Sequence, residues 1–232
     1  MKWSDFFTSS VGKKIVMSLT GLFLISFLVV HVSINACIFN DLEWFDPNDN
    51  GDMFNRAADF MARSAVVRTM EYGLFLGFLI HIIQGYVLEA KNLSRRGHGY
   101  KVNLANRGSK WYSRTMGLLG TLLLLFLIMH ISQFWIPSRF GGLEEVEGKK
   151  YHNMFIVMVA TFRNPVIVIL YILGCISLAY HLLHGFQSAF RTLGMHNTRY
   201  IGMVKGIGAA FSIIVPFVFA LMPIAIYLNW IG

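Results

Sequence analysis

The sequence predicts an all-α membrane protein, a bundle of five transmembrane helices. Two observations carry this. Of 232 residues, 55% are hydrophobic and only 14% charged, whereas a soluble domain carries about 25% charge. Apolar runs recur five times, over about 15–38, 65–90, 115–136, 165–190 and 206–229. Each can cross a hydrocarbon core of ~30 Å at ~1.5 Å per helical residue. The length is spent on spans and connecting loops, so residues 1–232 read as a single integral membrane domain.

The elements follow in order. Lys2, Lys13 and Lys14 precede span 1, whose apolar run is too long for a signal-peptide core and lacks a small-residue cleavage motif, so it reads as a retained anchor. The first loop is acidic, with Asp41, Glu43, Asp46, Asp49, Asp52 and Asp59 against Arg56 and Arg63. The second carries Lys91, Arg95, Arg96, Lys101, Arg107, Lys110 and Arg114, with no acid after Glu89. The third mixes Glu144, Glu145 and Glu147 with Arg139, Lys149, Lys150 and Arg163. The fourth holds Arg191, Arg199 and Lys205, and the C-terminus is uncharged. Basic loops stay on the cytoplasmic side, which predicts the N-terminus inside and the C-terminus outside. Trp3, Trp44, Trp111, Trp135 and Trp230 fall near span ends, as an interfacial aromatic belt requires. Cys37 and Cys175 are far apart and imply neither a disulfide framework nor a thiolate metal site.

Four histidines lie inside four different spans, in two matched pairs. His31 and His130 each follow a glycine by ten residues (Gly21, Gly120) and a methionine by fourteen (Met17, Met116). His81 and His181 each open His-x-x-x-Gly-aromatic, at Gly85-Tyr86 and Gly185-Phe186, with Lys91 or Arg191 ten positions on. Strongly polar groups at membrane depth are costly and mark function. Counting from the basic span ends puts His31 and His130 about 25 Å from the inner surface and His81 and His181 about 15 Å from it. Two layers of two imidazoles match the axial ligation of two b-type haems, the outer by His31 and His130 and the inner by His81 and His181. Gly85 and Gly185, one turn from their histidines, would let a flat macrocycle approach the backbone. A zinc or proton-relay site would gather its histidines at one depth or beside carboxylates.

Other polar residues remain open. His184, three residues from His181, is a rival ligand or a neighbour of the haem edge. Asn35 and Gln133, about a turn beyond their histidines, are placed to orient them. His98, His152 and His196 fall in loops. Arg68 and Glu71 form an i, i+3 pair in the outer third of span 2, which either neutralises itself or serves the headgroup of a quinone beside the outer haem.

Ser18-Leu-Thr-Gly21 through His31-Val-Ser-Ile-Asn35, His81-Ile-Ile-Gln-Gly85, the stretch from Arg114-Thr-Met-Gly117 to His130, and Ala179-Tyr-His181-Leu-Leu-His184-Gly185 together resemble the b558-type cytochrome b subunit of succinate dehydrogenase/fumarate reductase, across essentially the whole chain. The resemblance implies a five-helix anchor with two haems b, ligated at His31, His81, His130 and His181. It implies a multi-pass protein of the cytoplasmic membrane that docks a flavoprotein (FAD) subunit and an iron–sulfur subunit on its inner face and exchanges electrons with menaquinone. The dicarboxylate chemistry of the tricarboxylic acid cycle would lie on those partners. The basic second loop then has a peripheral subunit or anionic membrane lipid to meet, although the insertion rule alone also produces such loops. No nucleic-acid partner is expected. The alternatives are the cytochrome b subunit of another quinone-linked enzyme, of hydrogenase or formate dehydrogenase type, and a non-redox proton-coupled transporter.

Overall fold

Long apolar runs with no water to satisfy their backbone must close every hydrogen bond internally, which in a single segment means a helix. The structure, a computed structural model, describes residues 9–96, 110–195 and 197–232. Lys2, Trp3, His98, Lys101, Arg107 and His196 lie outside the described residues, as do the side chains of Arg95 and Arg96. The helices are α1 (Ser10–Ala36), α2 (Asp52–Arg63), α3 (Ala65–Arg96), α4 (Trp111–Arg114), α5 (Met116–His130), α6 (Ile136–Phe140), α7 (Met154–Phe162), α8 (Pro165–Thr192) and α9 (Thr198–Tyr227). A 3-10 turn, Cys37–Asp41, prolongs α1, and a π turn, Ile131–Trp135, joins α5 to α6.

Five segments are long and apolar enough to cross a membrane: Ser10–Asp41, Ala65–Ser94, Met116–Phe140, Pro165–Thr192 and Arg199–Tyr227. The chain is therefore a multi-pass membrane protein. The helices run past the apolar stretches where caps extend them. Ser9 accepts from the Gly12 N–H, Asn164 from Val166 ahead of Pro165, and Asn197 from Arg199. The Asn197 cap starts α9, which holds the fifth span, well before residue 206. Exposed side chains such as Leu125 (60%), Ile128 (60%), Ile169 (57%) and Ile213 (61%) line the outside of the bundle. They would be costly in water and are at home in hydrocarbon.

The tightest packing is at one end. Ile38, Phe54, Phe155, Met158, Phe162, Val168, Tyr171, Met222, Ala225, Ile226 and Ile231 form one buried cluster. It joins the 3-10 turn after α1, α2, α7, the first turns of α8 and the end of α9 with the residues after it. We call this the cap end. Helices α2 and α7, two elements too short to cross a membrane, form the cap. Asn55, 1% exposed, ties them by donating to Asn153 Oδ1 (3.1 Å) and accepting the Phe155 N–H (2.9 Å). Asp41, nearly buried, accepts the Gly232 N–H at 3.1 Å and fixes the C-terminus there. Asp52 of α2 binds Lys149 and Tyr151 of the third loop and, at 2.8 Å, Arg56. Arg63 meets Asp59 at 2.7 Å and the Lys150 carbonyl. The opposite end carries Lys110, Arg114, Arg191 and Arg199 and is called the basic end.

Candidate functional site

The four membrane histidines meet in the pairs their registers imply. The rings of His31 and His130 have centres 5.8 Å apart with planes at 89°. Those of His81 and His181 are 6.3 Å apart at 62°. A metal binds an imidazole nitrogen at about 2.0–2.1 Å and the ring centre lies about 1 Å behind it, so two imidazoles on one ion hold their centres roughly 6 Å apart. Both pairs have that spacing. Among the described residues, no three or more His, Cys, Asp or Glu side chains gather around one point. Two imidazoles per centre are what an iron already held by the four nitrogens of a macrocycle needs.

The glycines that precede the first pair face the second. A Cβ on Gly21 would stand 3.5 Å from His81 Cε1, and one on Gly120 would stand 3.9 Å from His181 Cε1. Each glycine lies ten residues before its own histidine, a rise of about 15 Å. Two independent helix pairs thus give the same separation between layers, larger than the ~10 Å implied by counting from basic span ends. Gly85 and Gly185, one turn beyond the second pair, differ in their surroundings. Met17 Cε lies 3.6 Å from where a Gly85 Cβ would stand, so that face is already met by a side chain. Nothing lies within 4 Å of a Gly185 Cβ, which leaves room for a flat group.

Aromatic rings frame the layer nearer the cap. Phe27 stacks on His31 (5.0 Å, 20°) and Phe126 on His130 (5.7 Å, 20°). Each phenylalanine is four residues before its histidine, a repeat readable in the sequence. Phe134 and Phe219 close the layer at 5.4 Å from His130 and His31 respectively.

Hydrogen bonds set two of the rings. Tyr171 donates its O–H to Gln133 Oε1 at 2.8 Å, so at 3.3 Å its oxygen is left to accept from His130 Nδ1. Thr20 donates to the Val16 and Met17 carbonyls at 2.9 and 3.1 Å, so its oxygen, 3.1 Å from His81 Nδ1, likewise accepts. In both rings Nδ1 then carries the proton and Nε2 keeps its lone pair, the ligating form. Sequence reasoning missed both residues. A signal for Tyr171 exists: it precedes His181 by ten residues, as Glu71 precedes His81. The other two rings differ. Asn35 presents its amide nitrogen to His31 Nδ1 at 3.3 Å while donating to the His31 carbonyl at 2.8 Å. Among the described residues His181 Nδ1 is buried with no hydrogen-bond partner, as is Gln84 Oε1.

His184 is half-buried and makes no ring contact with His81 among the described residues. It occupies in α8 the position that Gln84 has in α3, three residues after the paired histidine. His152 sits in the third loop, with Nδ1 2.9 Å from the Leu143 carbonyl.

The pairing of Arg68 with Glu71 is overturned. Arg68 is exposed and makes no ion pair among the described residues. Glu71 is bound by Arg139, whose Nη2 lies 2.5 Å from Oε2, and by the Trp135 indole N–H at 2.6 Å from Oε1. Both charges are largely buried, the side chains 16% and 14% exposed. The helix runs on through the π turn at Ile131–Trp135 into α6, so that span 3 extends to Phe140 and Trp135 and Arg139 both meet Glu71 of α3. Arg139, which the sequence places in the third loop, belongs to the membrane segment.

Comparison with protein-family models, with curated proteins and with solved structures finds no match to this chain.

Proposed function

We propose that the chain is the dihaem cytochrome b anchor of a succinate:quinone oxidoreductase in the cytoplasmic membrane. The observation that carries this is the pair of histidine couples, 5.8 and 6.3 Å between ring centres, stacked along one bundle. His31 and His130 would hold one haem b, and His81 and His181 the other. Each bound iron supplies a one-electron carrier, and the described residues themselves hold no thiolate cluster or flavin motif for anything more.

The chain's own residues then have separable tasks. The basic end faces the cytoplasm by the positive-inside rule, where a flavoprotein subunit and an iron–sulfur subunit dock. The cap end faces out. Glu71, held by Arg139 and Trp135 one π turn from His130, exchanges protons with a menaquinone headgroup beside the outer haem. A carboxylate is suited to this because quinone chemistry moves protons with electrons, and a buried carboxylate next to a fixed cation is already desolvated and oriented.

The test is purification of the membrane-inserted protein with its co-purifying subunits. A pyridine haemochrome assay should give about two non-covalent haems b per chain, because no C-x-x-C-H attachment motif exists. A colourless, correctly inserted protein overturns the reading.

A further inference from the structure

We propose that Tyr171 and Thr20 are positioning residues for the axial histidines, and that each layer is built with one imidazole whose Nδ1 meets a hydroxyl acceptor and one whose Nδ1 does not. The inference rests on the two-haem reading above. It starts from the repeat that relates α1 and α3 to span 3 and α8. Gly21 corresponds to Gly120, so Thr20 corresponds to Leu119. Thr20 reaches His81 Nδ1 at 3.1 Å. Leu119 offers no hydroxyl, its carbonyl is taken by Ser177 Oγ at 3.2 Å, and among the described residues His181 Nδ1 stays buried and unpartnered. The same repeat relates Tyr171 to Glu71. Tyr171 serves His130, whereas Glu71 is drawn to Arg139 and Trp135 and leaves His31 with only the Asn35 amide nitrogen. The asymmetry therefore has one cause per layer, a lost hydroxyl at residue 119 and a diverted acid at residue 71.

The consequence follows from ligand basicity. An acceptor on Nδ1–H fixes the ring's tautomer and makes Nε2 a stronger electron donor, which favours oxidised iron. His130 and His81 are then the strong-donor ligands, each opposed by a weaker one. Residue 119 becomes a position where the missing partner can be restored.

The experiment uses the full chain in its purified complex, with optical redox titration and a haemochrome count on each sample. Tyr171→Phe should raise one midpoint potential and leave the other unchanged. Thr20→Val should raise the second, while Thr20→Ser, which keeps the hydroxyl, should keep the wild-type value. Leu119→Thr should lower the same midpoint that Thr20→Val raises. Should Tyr171→Phe fail to assemble, the Thr20 and Leu119 series decides alone. Two haems present with midpoints unmoved in Thr20→Val and Leu119→Thr overturn the proposal. Absence of haem from the wild-type protein would instead overturn the reading it rests on.

Discussion

The imidazole of His31 stands 5.8 Å from that of His130 with the two planes at 89°, although α1 and α5 are separated in sequence by the whole of α2, α3 and α4. Neither ring donates to the other, and each is instead stacked on a phenylalanine of its own helix. The edge-to-face contact of the two rings joins helices remote in sequence at one level of the bundle. The second couple, His81 and His181, repeats the arrangement about 15 Å along the bundle.

The layers should fail independently. His31→Ala or His130→Ala should remove one of the two redox steps and about one haem per chain, and His81→Ala the other. Losing either axial ligand frees its partner, so both members of a couple should give the same spectrum. If His31→Ala and His81→Ala abolish the same step, the layered pairing is wrong.

Glu71→Gln should leave both haem spectra intact and reduce quinone-linked turnover strongly, at least tenfold, which corresponds to about 1.4 kcal/mol of barrier. Arg139→Ala should be harsher on the fold, because it leaves a buried carboxylate unpaired, an effect of about 3–5 kcal/mol. Arg68→Ala, at an exposed position one turn from Glu71 that makes no ion pair among the described residues, should be nearly silent in both assays. Wild-type turnover in Glu71→Gln would reduce the Glu71–Arg139 contact to a structural brace.

Much of this was legible in the sequence because membrane depth makes polarity conspicuous. Five spans, four histidines and their pairing all follow from the cost of placing such groups in hydrocarbon. What escaped was of another kind. Thr20 reads as a threonine bonded back to its own helix, which it also is, so its second role at His81 leaves no trace in the chain. Tyr171 left the trace of a matched register with Glu71, but one acid and one phenol do not look alike. Arg139 was misplaced because an apolar run ends near residue 136, whereas the helix continues to Phe140 through the π turn and α6. The cap helices α2 and α7 carry local patterns, one amphipathic and one an apolar run capped by Asn153, but they are too short to read as spans, and their joining through Asn55 and the Phe155 cluster is a tertiary contact that leaves no mark in the chain.

The cap should loosen in acid. Burial alone would raise the Asp52 carboxyl, but hydrogen bonds from Lys149 and Tyr151 and the charge of Arg56 outweigh it and hold Asp52 below its ordinary range. A carboxyl depressed by folding contributes stability above its unfolded value and loses it as pH falls through the lower folded value. Asp52→Asn should therefore lower the thermal midpoint at neutral pH, with the difference from wild type shrinking below pH about 4. Protection of the α2 amides in hydrogen exchange should follow the same course. A gap that stays constant between pH 7 and pH 3 would show that the ion cluster does not hold the cap.

His181, rather than His184, should ligate the inner haem. His181 is the residue whose ring faces His81, at 6.3 Å, and whose Cε1 faces Gly120 as His81 faces Gly21. His184 lies one turn nearer the basic end, at the register of Gln84, about 4–5 Å along the axis. From there it is placed to meet the edge of a bound macrocycle rather than its iron. Removing an axial ligand costs the haem or its low-spin state, while removing an edge contact shifts the potential and leaves ligation intact. Low-temperature EPR on His181→Ala and His184→Ala, side by side, separates the two. His181→Ala should lose one low-spin signal and about half of the haem, and His184→Ala should keep both signals. The reverse result would exchange the assignments, and it would then require α8 to turn by about 60° relative to the pairing seen here, since three residues of helix span about 300°.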